Sequence, residues 1–280
     1  MPPPQILSGL FEIASEYDAL VCDVWGVLHN GHTGSPEAVA ALHEFRRSRG
    51  KVILLSNAPR PKRDVETMLQ RFDIVLDFYD DIVTSGIATR LDLEGRSKDK
   101  TLRMFHLGPE RDRGIFEGLN IEPADIEDAD IVLNSGLFDD DVETPDDYRD
   151  RLAAMKARNL LMLCANPDWV VQRGGKMIWC AGALADAYEK IGGPVIYYGK
   201  PKPEIYDLVR ASAPGAKRML AIGDGMHTDI KGANAACIDA LFIADGIHGG
   251  DAADVSPGHL DELFAKAGVH ARAAMRALVW

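Results

Sequence analysis

Short apolar runs recur along the chain, separated by stretches whose apolar residues return every three or four positions. The runs are ALVCDV (19–24), KVILL (51–55), DIVL (130–133), LLMLC (160–164), VIYY (195–198), RMLAI (218–222) and DALFI (239–243). None alternates strictly between apolar and polar. Unbroken runs of this kind suit strands of a parallel sheet covered on both faces.

The intervening stretches carry helix signals. SPEAVAALHEFRRSRG places Ser35 at an N-cap, Pro36 at the first helical position and Gly50 as a stop, with Val39, Leu42 and Phe45 on one face. PKRDVETMLQRF groups Val65, Met68, Leu69 and Phe72, and KPEIYDLVR groups Ile205, Leu208 and Val209. TPDDYRDRLAAMKARN begins a further helix at Thr144 and Pro145. No internal repeat or low-complexity linker interrupts the series. The alternation predicts a doubly wound α/β fold.

Composition narrows the partners. Forty-three acidic against 31 basic residues leave 280 residues with a net charge of −12. Such a chain repels nucleic acid and anionic membranes unless it carries a basic stripe. Arg46, Arg47, Arg49 and Lys51 come closest, at the end of a helix, where cations complement the dipole. The expectation is no nucleic acid and no membrane. The N-terminus lacks a basic segment followed by an apolar stretch, and no apolar run nears the roughly 18–20 residues that span a bilayer. Cys22, Cys164, Cys180 and Cys237 form no CxxC pair and read as reduced thiols. A cytoplasmic protein is expected. The acid-dense 122–150 segment does not follow the spacing of an EF-hand loop and reads as solvated surface.

Ligands of open parallel sheets bind at the carboxyl ends of the strands. Asp23 stands there after the first run, and Ser56 and Asn57 after the second. Lys200 precedes the 203–210 helix, and Asp224 and Asp229 follow the 218–222 run. Three carboxylates at short range repel unless a cation holds them, and an oxygen-only set suits Mg²⁺. A lysine beside that cation suits a phosphate. Asp23 would then be the nucleophile that takes the phosphoryl group, Ser56 and Asn57 its hydrogen-bond donors, and Lys200 a charge partner in the transition state. Gly223 and Gly225 flank Asp224 where the backbone must turn tightly. Asp18 and Asp245 read as solvated strand edges and His248 as a loop residue.

DVWG at Asp23, Ser56–Asn57, Lys200 in GKPKP and GDGMHTD resemble, in order, the four motifs of the haloacid dehalogenase-like (HAD) hydrolase superfamily. The long insert between the second motif and Lys200 resembles the C2-type cap of class IIA, the NagD-like and p-nitrophenylphosphatase-like group. The segment ANPDWVVQRGGKMIWCAGALADAYEKIGG and YYGKPKPEIY carry the same likeness. The resemblance implies a core of residues 1–82 and 191–280 with an α/β cap at 83–190. It implies that Asp23, Asp224, Asp229 and the main-chain carbonyl of Trp25 hold Mg²⁺. It implies that Ser56, Asn57 and Lys200 bind the phosphoryl group. Asn166 and Asp168 either touch substrate or form an Asn-Pro-Asp turn; Trp169 and Arg173 are weaker pocket candidates. A small phosphorylated metabolite, a sugar phosphate or nucleotide, is the implied substrate. Class IIA members also suggest a homo-oligomer.

Trp25 departs from the pattern. Phosphatases of the superfamily carry a second Asp there, which protonates the leaving group and later activates water. An indole only donates a hydrogen bond. Three readings follow: a phosphatase via an aspartyl-phosphate that is slow, prefers good leaving groups or borrows another acid such as His29 or His227; a metal-independent dehalogenase-like hydrolase; or a protein that holds a phosphorylated ligand with little or no turnover.

Overall fold

The computed structural model describes residues 3–173, 175–246 and 254–280, and His248 lies outside them. The chain forms two compact units. One comprises Met1–Ser56, Glu66–Val83 and Lys200–Trp280; the other comprises Asn57–Val65 and Thr84–Gly199.

A seven-stranded sheet organises the first unit. Its spatial order is Gln5–Ile6, Ala273–Met275, Asp239–Ile243, Met219–Gly223, Ala19–Asp23, Lys51–Ser56 and Asp81–Thr84. Ala19–Asp23 runs parallel to both of its neighbours. All five of its residues are buried, as expected of an unbroken apolar run. From this strand the chain proceeds to one side through Lys51–Ser56, then returns on the other through Met219–Gly223. A topological switch point therefore lies between Ala19–Asp23 and Met219–Gly223, where the crevice of a doubly wound sheet opens.

Local signals held where they were strong. Helix Pro36–Ser48 starts at Ser35, whose Oγ accepts the Ala38 N–H at 3.4 Å, and buries Ala38, Ala41, Leu42 and Phe45. At Gly50 a Cβ atom would stand 1.9 Å from the Asp18 carbonyl, so only glycine fits that approach. Helix Glu204–Ser212 buries Ile205 and Val209.

The second unit carries five parallel strands in the order Val195–Tyr197, Leu161–Cys164, Ile131–Asn134, Leu102–Leu107 and Ile121–Pro123. Successive residues face opposite sides, so Val132 and Met162 pack with helices Arg149–Ala157 and Ala181–Lys190, while Ile131 and Leu163 pack with Leu93 of helix Ser85–Ser97. An antiparallel ribbon, Val170–Arg173 with Lys176–Trp179, completes it. Two segments that the sequence assigned to the core sit in this unit. Residues 191–199 do so because Val195–Tyr197 pairs with Met162–Cys164. Residues 57–65 do so because Ser85 Oγ bonds the Asn57 carbonyl at 2.7 Å and Arg60 pairs with Asp112 at 3.0 Å.

Candidate active site

Strand register builds the first part of the site. Cys22 aligns with Leu54 and Ile222, and Asp23 aligns with Leu55. One step further along, Ser56 and Asp224 leave the sheet at the same lip as Asp23. A π-helical turn, Met226–Ile230, then brings Asp229 back. Asp23, Asp224 and Asp229 are all buried, and each offers a carboxylate oxygen within 4.8 Å of the others.

Lys200 closes the group. Its Nζ donates to Asp23 Oδ1 at 2.7 Å, to Asp229 Oδ1 at 2.6 Å and to the Leu55 carbonyl at 3.3 Å. An ammonium has three protons, so all are directed. Asp23 Oδ1 also accepts the Val24 N–H, and Asp229 Oδ2 accepts the Gly225 N–H. Burial raises the Asp23 carboxyl well above its ordinary range, and Asp229 adds to this against the opposing pull of Lys200. Burial alone would lower Lys200, but Asp229 and Asp23 outweigh it and hold the ammonium charged.

Fully ionised, the three carboxylates against one ammonium would leave two negative charges in a buried pocket. A divalent cation balances that charge, and the oxygen donors suit a hard one. The backbone is cut to the same end. A Cβ on Gly26 or on Gly246 would stand 2.1 or 2.0 Å from Asp224 Oδ2, and one on Gly223 would stand 2.2 Å from Asp229 Cγ. Gly26 also sits at φ +89°. Sequence reading singled out Gly223 and Gly225 but missed Gly246, which lies more than twenty residues beyond Asp224 and carries no motif.

Lys200 is consequently the counter-ion of the carboxylate cluster. Lys200→Met should destabilise the metal-free protein by about 3–5 kcal/mol, the typical cost of stranding buried charge. Urea titration with and without Mg²⁺ checks this, with part of the loss recovered when the cation is present. Equal midpoints for parent and variant without metal would contradict it.

Trp25 is half-buried at the mouth of the Asp23 turn. Its ring meets His29 edge-on at 4.8 Å, and His29 stacks on Phe72 at 4.8 Å. Burial pushes the His29 imidazole down to about 4. Its Nδ1 accepts the Gly31 N–H at 3.1 Å, and its buried Nε2 has no partner among the described residues. The ring is thus held in place between Trp25 and Phe72. His227 is exposed.

Asn57, Asn166 and Asp168 meet within the second unit. Asn57 Nδ2 donates to Asp168 Oδ1 at 2.8 Å, and Asn166 Oδ1 accepts the Asp168 N–H at 3.0 Å, as in an Asx turn. Ser85 was not singled out from sequence, yet its buried Oγ lies 2.7 Å from the Asn57 carbonyl and 2.5 Å from that of Ala165. The only signal was a small polar residue directly after the strand Asp81–Thr84. Arg173 pairs with Asp140 and Asp141, while Trp169 is exposed with Lys190 over its ring. Asp140 also pairs with Arg111, so the acid-dense segment is partly neutralised surface. The four cysteines are free thiols, and Cys237 is exposed. Among the described residues no helix is long and apolar enough to cross a membrane.

Comparison with known proteins converges on one group. Residues 20–122 match the family model described as haloacid dehalogenase-like hydrolase, and residues 197–267 match one described as HAD-hydrolase-like. A solved structure of a haloacid dehalogenase-like hydrolase from Brucella suis 1330 is 38% identical, with a TM-score of 0.85 over 98% of this chain and 100% of that one. D-glycerol 3-phosphate phosphatase of Mycobacterium tuberculosis is 28% identical over 84% of this chain. The match spans 65% of that longer protein, less than two thirds of it. Ribonucleotide monophosphatase NagD of Escherichia coli K12 is 24% identical over 85% of this chain and 92% of its own.

Proposed function

The chain belongs to the haloacid dehalogenase-like hydrolase family, and from that premise we propose that it is a Mg²⁺-dependent phosphatase acting on a small phosphorylated metabolite through an aspartyl-phosphate on Asp23. The observation that carries the proposal is the buried Asp23–Asp224–Asp229 cluster with Lys200 bridging Asp23 and Asp229. The relatives named as phosphatases of glycerol 3-phosphate and of ribonucleotides support the substrate class.

Asp23, Asp224, Asp229 and the Trp25 carbonyl would hold the cation, which supplies charge stabilisation to the phosphoryl oxygens when bound. The rest falls to the chain. Asp23 presents a carboxylate oxygen fixed by the Val24 N–H and Lys200. This oxygen bonds to phosphorus as the bond to the leaving oxygen breaks. Lys200 and Ser56 stabilise the charge spread over the transferring group. Water then attacks phosphorus, releases phosphate and restores Asp23. The Trp25 indole N–H is too weak an acid to protonate the leaving oxygen, so the reading favours substrates whose leaving group departs as an anion, such as acyl or aryl phosphates. In the second unit, Asn57, Asn166 and Asp168 are the proposed substrate contacts.

Phosphate release should be measured on a panel from acyl and aryl to alkyl phosphates, with Mg²⁺ and with chelator. Release that requires Mg²⁺ and falls steeply with leaving-group basicity is expected. Tight Mg²⁺-dependent binding without release on any substrate would favour the ligand-holding reading, and halide release without metal the dehalogenase-like one.

A further inference from the structure

The basic stripe Arg46–Lys51 does more than cap a helix. Together with Pro214–Lys217 it lines a groove of ≈ 980 Å³ in the first unit, open to solvent. The groove lies at the amino ends of the strands. Asp18 precedes Ala19–Asp23, Lys51 opens Lys51–Ser56, and Lys217 comes just before Met219–Gly223. At about 3.3 Å per residue, Asp18 stands roughly 16 Å along the strand from Asp23. The groove is thus separate from the phosphoryl crevice.

Its charge is unusual for this chain. Arg46, Arg47, Arg49, Lys51 and Lys217 supply five cations, and Asp18 and Asp80 two carboxylates. Both carboxylates are engaged in building the walls. Asp18 Oδ2 accepts the backbone N–H groups of Lys217 and Arg218 at 3.0 and 3.1 Å, so this exposed residue is not merely solvated. Asp80 takes Lys51 at 2.9 Å, Arg46 at 3.3 Å and the Val52 N–H at 2.9 Å. Glu44, outside the groove, holds Arg47 at 2.7 Å. Counting Glu44, five cations face three carboxylates, and the excess is two. Arg49 and Lys217 make no ion pair among the described residues. The negative end of helix Pro36–Ser48 offsets only about half a charge.

We propose that this groove is a second ligand site, for a small anion carrying several phosphate or carboxylate groups. The volume is at the upper end of the roughly 300–1,000 Å³ typical of small-molecule sites. A net charge of −12 repels anions over the rest of the surface, so a local positive groove concentrates them at one place. No Phe, Tyr or Trp lines it, and Arg and Lys make up five of its residues, so charge dominates what the groove offers a ligand. The ligand is therefore recognised by charge, as a linear polyphosphate or a polycarboxylate is.

Calorimetric titration of metal-free protein with tripolyphosphate and, separately, with citrate tests the site at low ionic strength. Binding of one or both, weakening as salt rises, is expected; the stronger of the two identifies the phosphate or the carboxylate source. Arg49→Glu with Lys217→Glu should weaken it at least about tenfold while leaving phosphate release in the distant crevice unchanged. Should charge reversal impair folding, judged by circular dichroism, the Arg49→Gln, Lys217→Gln pair should still weaken binding about threefold or more. Affinity poorer than about 1 mM for both anions, or equal affinity in parent and folded variant, would overturn the proposal.

Discussion

Asp23→Asn is expected to lower phosphate release by about 10⁴-fold or more while leaving the fold intact. The substitution keeps the shape of the side chain and removes the attacking oxyanion. Its stability consequence follows from the direction of the Asp23 shift. Burial and Asp229 raise this carboxyl above its unfolded value, so its stabilising contribution is complete at low pH. That contribution is lost as pH rises through the folded value, above which the ionised group opposes folding when no cation is bound. A neutral Asn removes the repulsion, and Lys200 keeps Asp229 as partner at 2.6 Å. The variant should therefore melt no lower than the parent in chelator. Steady-state phosphate release beside a thermal melt checks both parts. A folded variant that retains more than about 1% of parental turnover would exclude Asp23 as nucleophile.

Trp25→Asp should act in the opposite direction. If the missing proton donor limits the reaction, a carboxyl here should raise kcat on alkyl phosphates by about 10²-fold, the lower part of the usual range for general acid–base catalysis. Aryl phosphates, which need less help in leaving, should gain much less. The indole also packs against His29, so its removal disturbs the His29–Phe72 stack. Trp25→Asn provides the control, because it opens the same space without a transferable proton. A rate gain in Trp25→Asp but not in Trp25→Asn assigns the effect to the acid. If neither variant is faster than the parent, the absent second Asp is not what limits turnover.

The order of strands and helices around Asp23 was readable because each run was apolar enough to exclude other readings. Ala19–Asp23, Lys51–Ser56 and Met219–Gly223 are each buried through all or nearly all of their length. Strand Leu102–Leu107 was not readable, because Arg103 and His106 interrupt LRMFHL and the strand is fixed by its partners Ile121–Pro123 and Ile131–Asn134. The two-residue strand Gln5–Ile6 and the three-residue Ala273–Met275 are too short for any periodicity; pairing with each other and with Asp239–Ile243 makes them strands. Residues 191–199 carried an apolar run that fits either sheet, and only register with Leu161–Cys164 assigns it.

The candidate site divides in the same way. Asp23, Ser56 and Asp224 were legible, because an ionisable or polar residue at the end of a buried strand is costly unless it meets a partner there, whereas Lys200 and Asp229 were read from the motifs that hold them, GKPKP and GDGMHTD. Lys200 between Asp23 and Asp229 is that partner. The roles of Gly246 and Ser85 were not legible. Each is decided by a close approach between segments far apart in the chain, at Asp224 Oδ2 and at the Ala165 carbonyl. The basic stripe shows the same limit. Its charges were plain in the sequence, yet a helix end and a groove differ only by Pro214–Lys217 folding onto them. The sequence by itself determined the family and which residues end the central strands, because hydrophobic runs and the residues that end them are local properties. The tertiary structure alone decided the approach of Gly246 to Asp224, the groove and the boundary between the units, because each depends on which distant backbones come together.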